Sequence, residues 1–218
     1  MIVYESADEL FDSGTPMIVP MLIWQQNGEL RIEAYDDVRE TAEKFERLFA
    51  RHSFSKAAID WLDEKLTPYC NSHGYFREAY GKYRWYREFV YTDKCDEEIQ
   101  PSTILWKGEP NLSGLLLDLD PDWLTYVTVV DGVIVSAARV NEYDPEVSSP
   151  EITVETAVEC RGLGYGVSNV LALSRALAEN GETARYVCSR YNRASAKLAE
   201  KAGFDEVGRF YAFTAYRD

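Results

Sequence analysis

Two helical stripes stand out in the first half of the chain. In YDDVRETAEKFERLFARHS, Val38, Ala42, Phe45, Leu48 and Phe49 recur at helical spacing, with acids in the opening turn where the helix dipole favours them. SFSKAAIDWLDEKLTPYC repeats the pattern with Ala58, Ile59, Leu62 and Leu66, and Pro68 predicts the stop. The next stretch, YFREAYGKYRWYREFVY at 75–91, is too dense in aromatic residues for a surface helix. Part of it is expected to pack inward or to line a cavity.

The second half has a different texture. STILWKGE, TYVTVVDGVIVSAARV and EITVETAVEC are β-like runs in quick succession, with Asp131 and Gly132 at a hairpin turn, and they predict antiparallel neighbours. EITVETAVEC alternates throughout. Ile152, Val154, Thr156, Val158 and Cys160 fall on one face, and Glu151, Thr153, Glu155, Ala157 and Glu159 on the other. Glycines follow at 162, 164 and 166. VSNVLALSRALAENG then sets Val167, Val170, Leu171, Ser174, Leu177 and Ala178 at helical spacing and ends at Gly181. ARYVCSR reads as a short strand, NRASAKLAEKAG as a helix stopped by Gly203, and FDEVGRFYAFTAYR as a final strand. The order is strand, glycine turn, helix, strand, helix, strand.

Charge narrows the function classes. The chain has 218 residues, of which 46% are hydrophobic and 13% aromatic, enough for a sizeable core in one large domain or two small ones. Its formal charge of -14 repels phosphodiester backbones and anionic lipid, which argues against a nucleic-acid or membrane-surface role and favours cationic ligands. The opening MIVYESADELFDSG has acids where a secretory signal needs basic residues, and MIVPMLIW at 17–24 is too short to span a bilayer, so a cytoplasmic protein is expected. Cys70, Cys95, Cys160 and Cys188 are scattered without a CxxC pair, which fits buried, reduced thiols.

The three alternate glycines let the backbone bend sharply between a strand and a helix, and they leave amide N-H groups open to a bulky anion at the helix N-terminus. Arg161 can add an ionic contact. A dinucleotide fingerprint would need glycine at 167, which is Val, and no GK[ST] follows for a P-loop. A merely tight connection is the plain alternative.

Two motifs break that tie. RGLGYG at 161–166 and NRASAKLAEKAGF at 192–204 resemble the [QR]xxGx[GA] diphosphate loop and the NxxSxxLxxxxGF motif of the GNAT superfamily of acyl-CoA-dependent N-acyltransferases. They occur in order, separated by one helix and one short strand. The combination with ETAVEC is similar to a bacterial acetyltransferase branch of that superfamily. The resemblance covers about residues 103–218. It implies an α/β (α+β) fold with a mixed, mostly antiparallel central sheet flanked by helices, and a helix-rich region at 1–102 that would shape the acceptor site.

The resemblance further implies an acetyl-CoA-dependent N-acetyltransferase. The pantetheine arm would enter a split between neighbouring strands, opened by a bulge in EITVETAVEC, and be held near Thr156, Ala157 and Val158. Gly162, Leu163, Gly164, Tyr165, Gly166 and Val167, with Arg161 alongside, would grip the diphosphate. Asn192 and Ser195 would sit near the thioester. A base on the strand would take the amine proton, with Glu155 preferred over Glu151, and a backbone N-H near Ala157 would meet the oxyanion. Many relatives carry a Tyr where this chain has Ala199, so Ser195, Tyr191 or water would protonate the leaving thiolate. The acceptor would be a small-molecule amine, with a cationic one suiting the acidic balance, and the protein would act as a monomer or homodimer. A non-catalytic acyl-CoA-binding module and a protein acetyltransferase are the alternatives.

Other residues carry weaker signals. Cys70 and His73, with Cys95 beyond, lack a fourth partner for zinc, so no metal is expected. Cys160 and Cys188 flank the expected cleft and read as packing residues. Tyr75, Phe76, Tyr80, Tyr83, Trp85 and Tyr86 are either core or a cage for a cation. Lys197 and Lys201 read equally as a solvated helix face or as neighbours of the CoA 3′-phosphate.

Overall fold

The computed structural model describes residues 1–7, 15–77, 85–110, 112–141 and 149–217. They form eleven strands and four α-helices, and the chain divides into two compact units, Met1–Arg87 with Gly208–Asp218, and Glu88–Val207. The divisions fall inside strands β5 (Trp85–Tyr91) and β11 (Phe204–Arg217). They do not coincide with the 102/103 boundary drawn from the sequence, because the C-terminal part of β11 pairs along an N-terminal strand.

The first unit is mixed rather than helix-rich. Strands β1 (Ile2–Glu5), β2 (Met17–Gln26), β3 (Glu29–Tyr35) and β4 (Tyr75–Phe76) accompany helices α1 (Arg39–Phe49) and α2 (Lys56–Ser72). Strand β2 pairs antiparallel with β3 across a turn in which Asn27 and Gly28 both take positive φ, the geometry that a tight hairpin requires. On its other edge β2 pairs antiparallel with β11, while β1 runs parallel to β3. Ile18, Met21, Ile23, Ile32, Phe45, Ile59, Leu62, Leu66, Tyr75, Tyr211 and Phe213 fill the core.

Two details differ from the helical stripes read above. Leu48 is 57% exposed, so the α1 stripe stops at Phe45 with Phe49 half-buried. Helix α2 runs through Pro68 to Ser72. The proline removes one helical donor, but Leu66 and Cys70 on either side of it are buried with Leu62, and that packing holds the last turn in line. Gly74, at φ 78°, ends the helix instead.

The second unit holds β6 (Thr103–Leu105), β7 (Thr125–Val130), β8 (Val133–Val140), β9 (Glu151–Thr156) and β10 (Arg185–Ser189), in the sheet order β10-β9-β8-β7-β6. Helices α3 (Tyr165–Glu179) and α4 (Arg193–Lys201) complete it. Asp131 and Gly132, both at positive φ, make the β7–β8 turn as expected. All these pairings are antiparallel except β9 with β10, which is parallel. Helix α3 buries Val170, Leu171, Leu173 and Leu177 against Ala138, Val140 and Ile152 of the sheet. At its ends Val167 is only partly buried and Ala178 is exposed. Among the described residues no helix is long and apolar enough to cross a membrane.

Candidate acyl-CoA site

Strand β9 is shorter than its alternation suggests. It pairs with β8 in unbroken register from Ile152 to Thr156, then leaves the sheet through a 3-10 turn at Val158–Cys160. Val158 is therefore exposed instead of facing inward with Ile152. A register irregularity lies between Thr128 and Val129 on the neighbouring β7, and β9 itself carries no shift in its pairing with β8. The split arises differently from the expected bulge. Strands β9 and β10 are paired only at Arg185↔Glu151 and Tyr186↔Ile152, and beyond these they separate.

A cavity of about 560 Å³ opens at this separation. It is lined from β9 by Val154, Glu155 and Thr156, from the following loop by Cys160, Arg161, Gly162 and Gly164, and from α3 by Tyr165, Gly166 and Val167. Tyr186 of β10, Asn192, and Ser195, Lys197, Leu198 and Lys201 of α4 close it. The structure thus brings together most of the residues singled out in the sequence. Ala157, Val158 and Leu163 are not among the lining residues, and Val158 and Leu163 point largely to solvent.

The loop has the geometry of an anion cradle. Gly162 and Gly164 take φ of 82° and 86°, and Gly164 is the N-cap of α3. The first amides of a helix have no intrahelical acceptor, so those of Tyr165, Gly166 and Val167 are turned out at the positive end of the dipole. Gly166 has little room beside it. A Cβ there would lie 3.0 Å from Leu198 Cδ1 and 3.1 Å from Thr156 Oγ1, in the gap between β9 and α4. Arg161 curls back, its Nε donating to Thr156 O at 3.2 Å. These features fit the diphosphate and arm of an acyl-CoA.

The two candidate carboxylates are in different situations. Glu151 is ion-paired with Arg185 at 2.9 Å and stands outside the cavity. Glu155 lines it, and its carboxylate accepts the N-H groups of Leu117 at 2.6 Å and Leu116 at 3.2 Å. The Ala157 N-H donates to Val135 O at 2.8 Å, so it is already engaged and does not serve as the expected oxyanion donor in this arrangement.

Tyr186 was not singled out by the sequence. Its hydroxyl lies 2.7 Å from Ser195 Oγ, and burial raises its pKa above the ordinary phenol value, so it stays protonated. Ser195 is itself placed by Asn192, the N-cap of α4, whose Oδ1 accepts the Ser195 N-H at 3.0 Å. Ala199 is fully buried on the same helix, and Tyr191 is 64% exposed with Arg190 over its ring.

Residues 146–212 match the FR47-like protein family. That segment takes in β9, the glycine loop, α3, β10, α4 and most of β11. None of the curated proteins matches the chain. Among solved structures, a GNAT-family acetyltransferase structure from Novosphingobium aromaticivorans is 15% identical, covering 62% of this chain and 65% of that one, with a TM-score of 0.48. A GCN5-related N-acetyltransferase-like protein from Streptococcus suis is 16% identical over 92% of this chain and 90% of its own, at a TM-score of 0.45. A Drosophila protein is 13% identical over 91% of this chain and 74% of its own, at 0.51. This chain spans just under two thirds of the Novosphingobium protein. The likeness is one of fold, and the mixed, mostly antiparallel sheet flanked by helices expected from the two motifs is the one observed.

The remaining sequence candidates divide. Lys197 and Lys201 line the cavity, as does Cys160. Cys188 is buried in the core beside the cleft. Tyr75 and Trp85 are core residues, Tyr75 donating to Thr15 O at 2.9 Å, and Tyr86 stacks on Phe210. Tyr80 and Tyr83 lie outside the described residues. The four cysteines are not joined in disulfides, and among the described residues no three potential ligands cluster to hold a metal.

Proposed function

We propose that the protein is an acetyl-CoA-dependent N-acetyltransferase that acts on the primary amine of a small molecule. One observation carries the reading. The cavity at the β9/β10 separation is continuous with a glycine loop whose amides open at the N-terminus of α3. A site of that shape accepts an extended arm at one end and a diphosphate at the other. The net charge of -14 favours a cationic acceptor over an anionic one.

Bound acetyl-CoA supplies an activated acyl carbonyl and a thiolate leaving group. The chain's residues do the rest. The cleft orients the amine against the carbonyl, a positioning effect worth up to about 7–11 kcal/mol in well-oriented cases. Glu155, directly or through water, takes one proton from the amine nitrogen as the C-N bond forms. As the C-S bond breaks, the Tyr186–Ser195 hydroxyl pair, in which one hydroxyl donates to the other, would offer its remaining hydrogen to the sulfur and relay a proton from solvent to the leaving group. Glu151 is held by Arg185 and has no such role.

The test is the release of free CoA thiol from acetyl-CoA, measured with a panel of small primary amines. Thiol release that depends on the amine, with the acetyl group recovered on nitrogen, supports the reading. Tight acetyl-CoA binding without release under any amine would point instead to a sensing module.

A further inference from the structure

Beside the glycine loop a short turn at 100–103, outside the residues that line the cavity, docks onto the first turn of α3. The Gln100 side chain donates its Nε2 hydrogen to Leu163 O at 3.0 Å, and the Gln100 N-H donates to Ser168 Oγ at 2.8 Å. Thr103 closes the turn through its N-H to Gln100 O at 2.9 Å. Its Oγ1 lies 2.7 Å from Ser168 Oγ and donates to Asn169 Oδ1 at 3.1 Å, and the same Oδ1 accepts from Thr128 Oγ1. Ser168, Asn169 and Thr128 are all buried. The turn is therefore anchored at several points, and Gln100 is the member that touches the loop itself.

We propose that Gln100 is a positioning residue for the diphosphate loop, holding the Leu163 carbonyl outward so that the Gly164 N-H turns into the cavity. The proposal rests on the acyl-CoA reading of the site. Its geometry follows from the peptide unit. In a trans peptide the C=O of residue 163 and the N-H of residue 164 point in opposite directions, so fixing one fixes the other. Gly164, at φ 86°, accepts the Ser168 N-H at its own carbonyl, 3.0 Å, but the peptide plane before it has no helical hydrogen bond, which is why an external restraint matters there. Contact is close. A Cβ on Gly164 would stand 2.7 Å from Gln100 Nε2, so the amide fills the space beside the glycine and also shuts out a flipped peptide. A loop held in its binding geometry before the ligand arrives does not have to be ordered by it, and affinity gains accordingly.

The experiment compares wild type, Gln100→Met and Gln100→Ala for binding of CoA and of pantetheine, which keeps the arm and lacks the diphosphate. Gln100→Met keeps the length of the side chain and loses the donor. Affinities are read by calorimetry for CoA and by displacement at millimolar concentration for pantetheine, with the melting temperature of each free protein recorded. The proposal expects both variants to bind CoA about tenfold more weakly, to bind pantetheine within twofold of wild type, and to melt within a few degrees of it. Unchanged CoA affinity in Gln100→Met, or an equal loss for both ligands, overturns it. If wild type itself fails to bind CoA, the acyl-CoA reading of the site falls and this role falls with it. CoA binding that is intact and indifferent to Gln100 removes this role alone.

Discussion

The Tyr186 hydroxyl, on β10, and Ser195 Oγ, on the first turn of α4, lie 2.7 Å apart where the two elements border the cavity. The pair places two protic groups beside the cleft although position 199 has no side-chain hydroxyl. Tyr186→Phe removes the phenol and keeps the ring packed near Phe204. We expect kcat to fall roughly 10- to 100-fold, at the lower end of what a positioned proton donor contributes, with CoA affinity nearly unchanged. Ser195→Ala should lose less, and the double variant should fall short of the product of the two, because they act as a unit. Steady-state kinetics on the three variants check this.

The two carboxylates of β9 should behave oppositely. Glu155→Gln is expected to lower kcat by about 10²- to 10⁴-fold while leaving CoA binding in place. Glu151→Gln weakens a half-exposed ion pair with Arg185 and should cost less than about 1 kcal/mol of stability with little change in turnover. Kinetics and a denaturation curve on each variant separate the roles.

Glycines 164 and 166 should fail for different reasons. Gly164→Ala forces a side chain into left-handed backbone, at about 1–2 kcal/mol, and displaces the Gln100 amide. Gly166→Ala keeps helical backbone but pushes its methyl against Leu198 and Thr156. Each should weaken CoA binding by at least about tenfold, or 1.4 kcal/mol, measured by calorimetry.

Alkaline pH should destabilise the protein early. Burial pushes the Cys70 thiol up to about 12 from 9.0, and burial, with the hydrogen bond to Asp93, pushes the Tyr91 phenol up to about 12 from 10.0. Above pH 9 the unfolded chain has lost protons that the native state keeps, so stability is complete below that value and declines as pH rises toward 12. Denaturant midpoints measured from about pH 8 to 11 should fall across the range, and Cys70→Ala should flatten the decline that begins near the thiol value.

What the sequence made legible was local. The glycine loop, the Asp131–Gly132 turn and the Gly203 stop are each written within a few residues, and each recurs in the structure as positive φ. The β2–β3 hairpin was equally available, since Asn27 and Gly28 sit between two apolar runs. What the sequence could not show depends on distance. Gln100 meets Leu163 across 63 positions, and nothing in either neighbourhood announces it. Tyr186 carries no motif, and its value appears only when α4 folds back to bring Ser195 against it. The alternation of EITVETAVEC misleads for a physical reason. It continues to Cys160, but the backbone leaves the sheet after Ala157, and a pattern of side chains does not record where main-chain pairing ends.

Binding of an acyl-CoA in the cavity between β9 and β10, through the loop at 161–167, underlies every role assigned above. Its most direct measurement is the melting temperature with and without acetyl-CoA, in wild type and in Gly166→Val. At a concentration near 100 times Kd the ligand adds about 2.7 kcal/mol, or a rise of about 5–11 °C for a chain of this size. That rise is expected in wild type and its loss in the variant. No rise in wild type, or the same rise in both, would contradict it.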